Sequence, residues 1–392
     1  MPVVLYVLAL AVFAQGTSEF VLAGLVPGIA TDLGIPLAQA GLLTSAYAVG
    51  IAAGAPLMAA VGRRLSPRWS MGGFLVLFVV AHVVGATAAS FWALLATRVL
   101  AALANAGFLA VALSTVTRLV PARSRARALA VVLGGTTLAL VVGVPGGALV
   151  GSALGWRATL WAIAVLSVPA LIAVLGAAPT RAERATQADE ARSLAGELRT
   201  LRLRPVRVTI ALAVLVNAAT FCSFTYLAAI AGPAGLGEAA IPLLLGTFGL
   251  GAFVGVTAAG RLADRGWRRV IGVTGPLLAL GWVILTSAAD RQPALWVLSF
   301  VVGALSFALG STVIGRIMAS AVAAPTMSGS FATVALNLGA VIGPIAGGAA
   351  IERIGVRGPL VVSAVLVLGA VALGRVAVRR DADGARRPVP AD

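Results

Sequence analysis

Long apolar runs parted by short polar breaks occupy the chain from residue 3 to residue 378. In the first half they lie near 3–27, 41–61, 70–89, 92–117, 128–152 and 159–177. In the second half they lie near 207–231, 241–260, 270–289, 293–315, 327–350 and 358–378. A helix needs about 20 residues to cross a hydrocarbon layer about 30 Å thick, and the runs match that length. They are apolar on every face, without the alternation that a membrane barrel requires. The pattern predicts an all-α membrane protein with twelve transmembrane helices. Residues 1–178 form one six-helix bundle and residues 207–380 a second. Between them, 179–206 is polar and reads as a linker or surface helix, and 381–392, with Gly384, Pro388 and Pro390, as a disordered tail. Two non-basic residues precede the first run, so it reads as a retained span and not as a cleaved signal.

The arginines give the spans a direction. With both termini inside, the inner loops, linker and tail hold 24 of the 29 arginines; the outer loops hold Arg157, Arg291, Arg353 and Arg357. Arg98 alone lies within a span. The asymmetry follows the positive-inside rule and points to a multi-pass protein of the cell membrane with cytoplasmic termini. It also accounts for the net charge of +16 without a nucleic-acid partner.

Composition narrows the chemistry. A mean hydropathy of +1.03 over the whole chain excludes a water-soluble globule. The 29 basic residues are all arginine, so the P-loop lysine that contacts nucleotide phosphates is missing, and no ATPase subunit is implied. One cysteine, Cys222, and one histidine, His82, make neither a disulfide framework nor an imidazole cluster for a metal. Both read as buried bystanders, and no cofactor is expected.

A shift of 200 residues superposes landmarks of the two halves. Gly143 falls on Gly343, Gly147 on Gly347, Arg68 on Arg268, and Gly155-Trp156-Arg157 on Gly355-Val356-Arg357. Pro145 and Pro344 miss by one step. Two parallel repeats facing each other across a pseudo-two-fold axis place a substrate site near the midplane between them, reached alternately from each side. Small-xxx-small spacings together with Pro145 and Pro344 predict bent, closely packed gating helices in spans five and eleven.

Three motifs carry a family resemblance. Gly260-Arg261-Leu262-Ala263-Asp264-Arg265-Gly266-Trp267-Arg268-Arg269 is similar to the cytoplasmic loop signature of the major facilitator superfamily, with Trp267 in place of its second glycine. The first-half copy, Gly62-Arg63-Arg64-Leu65-Ser66-Pro67-Arg68, lacks the aspartate. Gly134 followed by Gly143-Val144-Pro145-Gly146-Gly147 resembles the motif of exporters. Gly16-Thr17-Ser18-Glu19-Phe20 with Arg98 resembles the chloramphenicol-resistance exporters of actinomycetes. The resemblance covers the whole chain. It implies a twelve-span drug:proton antiporter, working as a monomer on a small lipophilic drug and driven by the proton gradient. It also implies that Asp264, Arg265 and Arg268 form an inner charge latch.

Of thirteen acidic residues, Glu19 alone sits well inside a span. Such a charge is costly at the bilayer centre and marks a functional site by default. Arg98 is its basic counterpart at a compatible depth, expected to couple to it directly, through a water or through Asn105. A carboxyl held between desolvation and a nearby cation can change protonation as its surroundings turn from wet to dry. Asp32, at the outer end of span one, is a second candidate for proton entry. Gln15, Thr17, Tyr47, Asn105, Asn217, Phe221, Phe224, Tyr226 and Asn337 are candidates to line a cavity of mixed character. A sugar or metabolite porter of the same fold is the nearest alternative, but Ala178-Pro179-Thr180-Arg181-Ala182-Glu183 does not match the sugar-porter signature after span six. A membrane enzyme would need a convergent catalytic set, and a channel a filter or pore ring; neither is visible.

Overall fold

The computed structural model describes residues 3–62, 66–177, 199–263, 266–321 and 327–385. Among the described residues there is no strand, and twelve helices are long and apolar enough to cross a membrane. In the first half, span one is α1 (Val3–Phe20) with α2 (Leu22–Leu33), followed by α3 (Leu37–Gly62), α4 (Pro67–Thr87) and α5 (Phe91–Leu119). Span five is α6 (Arg125–Leu138) joined through a π-helical turn, Ala139–Gly143, to α7 (Val144–Leu154), and span six is α8 (Trp156–Ala177). In the second half, span seven is α9 (Arg204–Phe224) with α10 (Leu227–Ala231), then α11 (Ile241–Ala263) and α12 (Trp267–Ala288). The last three spans are α13 (Gln292–Ser320), α14 (Ser328–Ile354) and α15 (Gly358–Ala385).

Helices satisfy every backbone polar group internally, as a bilayer demands, and the ends follow local chemistry. Pro67, Pro205 and Pro293 stand in first turns, where a missing N–H costs nothing. The Ser90 hydroxyl accepts from the Ala93 N–H at 3.3 Å and caps α5. Gly155 and Gly355, at φ 86° and 84°, end α7 and α14 at positions 200 residues apart. Large apolar side chains such as Val165, Ile172, Leu280, Val297, Val365 and Leu368 point outward, as lipid-facing residues do.

Three features depart from the spans read from the sequence, and a fourth lies in span five, already read as bent. Span one is interrupted at Val21, where the Gly24 N–H bonds to the Val21 carbonyl at 2.9 Å, one residue tighter than an α-helix. Span seven is interrupted at Thr225–Tyr226, where the Tyr226 N–H returns to Ser223 at 3.2 Å. Span five carries the π turn. The final helix continues to Ala385, five residues into the stretch read as a disordered tail, because no proline stops it before that point. Residue 178, residues 179–198 of the linker and 386–392 of the tail lie outside the described residues.

The halves meet chiefly where α3 packs on α14, the π turn and α7 on α11, and α2 on α10. Their contacts run from mid-depth to the arginine-poor face. Ser45 donates to the Val341 carbonyl at 2.8 Å. Gly249 lies against the Leu140 carbonyl and Gly246 against Pro145, so neither has room for a side chain. Gly41 and Gly348 close on the Tyr226 ring from both halves. One hydrophobic core crosses this seam; a second, built on Leu5, Leu8, Met71, Phe74, Leu75, Phe108 and Val116, fills the arginine-rich end of the first bundle.

Candidate functional site

Glu19 stands two residues before the break in span one, half-buried, and among the described residues it has neither an ion pair nor a hydrogen bond. The expected coupling to Arg98 is not a direct contact. The fully buried Arg98 guanidinium donates to the Ser18 carbonyl at 3.0 Å and to the Ser18 hydroxyl at 2.6 Å, and lies 5.0 Å from the Tyr47 ring centroid. Successive helical side chains point about 100° apart, so Arg98 takes the Ser18 side of α1 and leaves Glu19 on another. Asn105 does not bridge the two either, since its amide donates to the Tyr47 hydroxyl at 3.1 Å.

His82, read from sequence as a bystander, belongs to this network. Its Nε2 is 2.7 Å from the Ser18 hydroxyl and its Nδ1 2.7 Å from the Phe78 carbonyl. A carbonyl only accepts, so Nδ1 carries the proton. Arg98 supplies the proton that Ser18 accepts, leaving the Ser18 hydroxyl to donate to Nε2. The Ser18 hydroxyl and both His82 nitrogens are satisfied when protons point in sequence from Arg98 through Ser18 and His82 to Phe78, while the buried Arg98 Nε has no partner among the described residues. The Tyr47 hydroxyl reaches the Gln15 carbonyl at 3.4 Å. Both polar atoms of the buried Gln15 amide lack a partner, which leaves a donor and an acceptor beside the network (such groups are normally paired).

The remaining candidates divide by location. Phe221 lies 6.1 Å from Phe20 across the seam, centroid to centroid, and the row continues through Phe224, Phe248 and Phe307 at 6.4, 4.7 and 6.3 Å. Phe20, Phe248 and Phe307 were not singled out from sequence, although Phe20 adjoins Glu19. Tyr226 is fully buried with its hydroxyl on the Pro344 carbonyl at 2.8 Å, a wedge in the outer seam. Asn217 donates to the Leu336 carbonyl at 2.6 Å, while Asn337 is held within its own helix by Thr333 at 2.9 Å. The Thr17 hydroxyl donates to the Phe13 carbonyl at 2.8 Å, and Gly143 packs directly on Thr17.

Asp32 is part of an outer tether. Its carboxylate pairs with Arg157 and accepts from the Trp156 indole at 3.1 Å, and Arg157 also reaches the Ala88 carbonyl at 3.2 Å. The Arg157 and Trp156 hydrogen bonds hold the carboxyl below its ordinary value of 3.8, which keeps it ionised near neutrality. The repeat has a looser counterpart, Arg357 with Asp290 at 3.6 Å and with the Thr286 carbonyl at 3.5 Å.

Span five is the pivot between α1 and α11. Gly143 ends its π turn, Pro145 faces Gly246 across the seam, and Thr159 donates to the Gly147 carbonyl at 2.8 Å. In span eleven, Gly343 lies against the main chain of Ala218 and Cys222, within its own half. Asp264 and Arg265 lie outside the described residues; Arg268 stacks on Trp267, 5.3 Å from its centroid.

Interrupted helices in corresponding positions of two repeats are where transporters of this build hold their cargo. Comparison with known proteins agrees in kind. The chain is 54% identical to a chloramphenicol resistance protein of Streptomyces lividans over 370 residues, covering 94% of each. It is 30% identical to the inner membrane transport protein YdhP of Escherichia coli K12, covering 94% of this chain and 93% of that one. Among solved structures, an inward-facing bacterial homologue of the human lysosomal transporter Spinster superposes with TM-score 0.81 at 18% identity, covering 99% and 98% of the two chains. The nucleoside transporter NupG follows at 0.76 and 15%, covering 95% and 98%. Residues 8–335 and 235–392 both match the sequence profile of the Major Facilitator Superfamily, and the chain belongs to that family.

Proposed function

We propose that this transporter exports a small lipophilic antibiotic of the chloramphenicol class in exchange for protons, by alternating access. The observation that carries the reading is the lone Glu19 carboxyl beside the break in span one, next to the Phe20–Phe221 contact between the halves. The name of the Streptomyces relative supports the drug class. In this scheme the arginine-rich face lies in the cytoplasm of the cell, and one chain suffices.

With the outer seam closed, deprotonated Glu19 and the unpartnered Gln15 amide face drug arriving from the cytoplasm, and the aromatic row supplies apolar contact. Rocking parts Tyr226 from Gly41 of the other half. A proton from outside then neutralises Glu19 and favours release, and the protonated carrier returns. Arg98, fixed on Ser18, keeps a positive potential nearby through the cycle. For a neutral drug and one proton, each cycle moves one charge inward. That supplies ~2.3 kcal/mol per 100 mV, or roughly fifty-fold accumulation. No cofactor enters the scheme.

Chloramphenicol accumulation in cells with and without the gene tests the reading, with and without a protonophore. The expected result is efflux that collapses with the proton gradient and is lost in Glu19→Gln at unchanged protein level. Active efflux by Glu19→Gln removes the carboxyl from the mechanism, and accumulation insensitive to the protonophore removes the coupling.

A further inference from the structure

The second bundle is hollow where the first is filled. At its arginine-rich end a cavity of about 550 Å³ opens among α9, α12, α13 and α15. The 200-residue register shows how it arises. Where the first half places Leu8, Met71, Leu75, Val116 and Val174 in its second hydrophobic core, the second half has Val208, Ile271, Gly275, Arg316 and Gly374 on the cavity wall. Two apolar side chains have become glycine, and one has become arginine.

The rim is cationic. Arg204, Arg268, Arg316 and Arg375 line the cavity, and among the described residues no carboxylate does. None of the four is ion-paired with a described carboxylate. Arg268 and Arg316 both lie on Trp267, the second 3.8 Å from its centroid, so one aromatic ring carries two guanidiniums. The buried Arg316 Nε has no acceptor among the described residues. Arg204 and Arg268 open α9 and α12, where the helix dipole is already positive. Such an arrangement is self-repelling until an anion fills it. Below the rim the walls are apolar: Leu212, Val216, Ile271, Leu309, Val313 and Val371.

We infer that this cavity binds an anionic phospholipid, its phosphodiester between the four arginines and the upper part of an acyl chain along the apolar walls. Free phosphate has no use for the walls, and a neutral drug has none for the rim. Basic recesses between membrane helices on the cytoplasmic side are suited to anionic headgroups. This site is separate from Glu19 and does not depend on the transported cargo.

The test uses full-length protein in neutral detergent, with phosphatidylglycerol, phosphatidylcholine and inorganic phosphate as probes, read by native mass spectrometry and thermal unfolding. Phosphatidylglycerol is expected to be retained and to raise Tm, with phosphatidylcholine and phosphate inert. Removing two charges in Arg316→Gln/Arg375→Gln should weaken retention roughly thirtyfold, whereas Arg316→Lys/Arg375→Lys should largely restore it. Gly374→Val fills the cavity while keeping every arginine; the open space beside Gly374 tolerates it, with the Leu212 side chain 3.9 Å from its added Cβ. That variant should also lose retention. Equal retention of phosphatidylcholine overturns the proposal, as does full retention by Gly374→Val or a Tm rise with phosphate alone. So does lipid binding that arises only after Glu183, Asp189, Glu190 and Glu197 are neutralised, which would make the acidic linker the occupant.

Discussion

At mid-depth the two halves of this transporter are built from opposite materials. The first bundle buries two hydrogen-bonded groups around span one, Arg98–Ser18–His82 and Tyr47–Asn105, which meet where Arg98 lies over the Tyr47 ring. The second places Phe221, Phe224, Phe248 and Phe307 at the matching depth, with Trp282 beside them. Duplicated halves need not duplicate chemistry. In the exchange proposed above, proton handling would use the polar groups of the first half, held away from lipid, and a lipophilic cargo the polarizable surface of the second. Glu19 sits where the two materials touch.

The contrast can be broken most severely at Arg98. Arg98→Gln should abolish export against a gradient and destabilise the protein by ~2–3 kcal/mol, since charged hydrogen bonds to Ser18 are lost in a dry interior. Efflux assays and thermal unfolding check it, and retained active efflux would show that the network is only scaffolding. Next comes the seam. In Gly249→Val the new side chain meets the Leu140 carbonyl, costing ~1–3 kcal/mol of overpacking and prising the outer contact apart. Cysteine-accessibility labelling at Ser45 should rise in that variant, with transport reduced at least several-fold. Gly251 is equally crowded, but by Phe300 within its own half, so Gly251→Val should lose stability without raising the labelling.

Smaller changes are expected in the aromatic half. The Trp282 indole N–H is buried without an acceptor, so Trp282→Phe forfeits no hydrogen bond. It leaves a small cavity in place of part of a buried ring, so it should cost ~1–2 kcal/mol and alter apparent drug affinity more than proton coupling, as the pH dependence of transport would reveal. The smallest effect is at the outer tether. Because its partners hold the Asp32 carboxyl below 3.8, the pair stabilises the fold above that ordinary value, and this contribution fades as pH falls through the lowered one. Unfolding measured from pH 7 to pH 3 should show that loss in the natural protein and not in Asp32→Asn, with little change in transport at neutral pH.

Much of this architecture can be read from the residues alone. Span number and the 200-residue repeat follow from run length and the paired Gly-x-Arg turns at Gly155 and Gly355, because bilayer thickness leaves little freedom, while the proposed direction rests on arginine placement alone. The site was legible only in part. Glu19 and Arg98 stand out as charges in apolar runs, yet the acceptor Arg98 uses includes a main-chain carbonyl, a group every residue carries. His82 looks idle until folding brings it to Ser18, 64 residues away in sequence. The helix breaks at Val21 and Tyr226 depend on tertiary packing, with only Gly24 nearby to suggest the first. The hollow in the second bundle is written in Leu75 against Gly275 and Val174 against Gly374, but its meaning emerges only when the repeats are superposed in space.

The π turn at Ala139–Gly143 bears on how span five should be read. One inserted residue advances everything after it by about 100° around the axis, so a helical wheel drawn from Arg125 assigns the wrong face to Pro145 and Gly147. Bulges of this kind recur at functional positions. Were the insertion to migrate outward by a turn, the residues it passed, Val144–Gly147 among them, would change face by about 100° and present a different edge to α11 without unfolding, while the parts of span five on either side kept their phase.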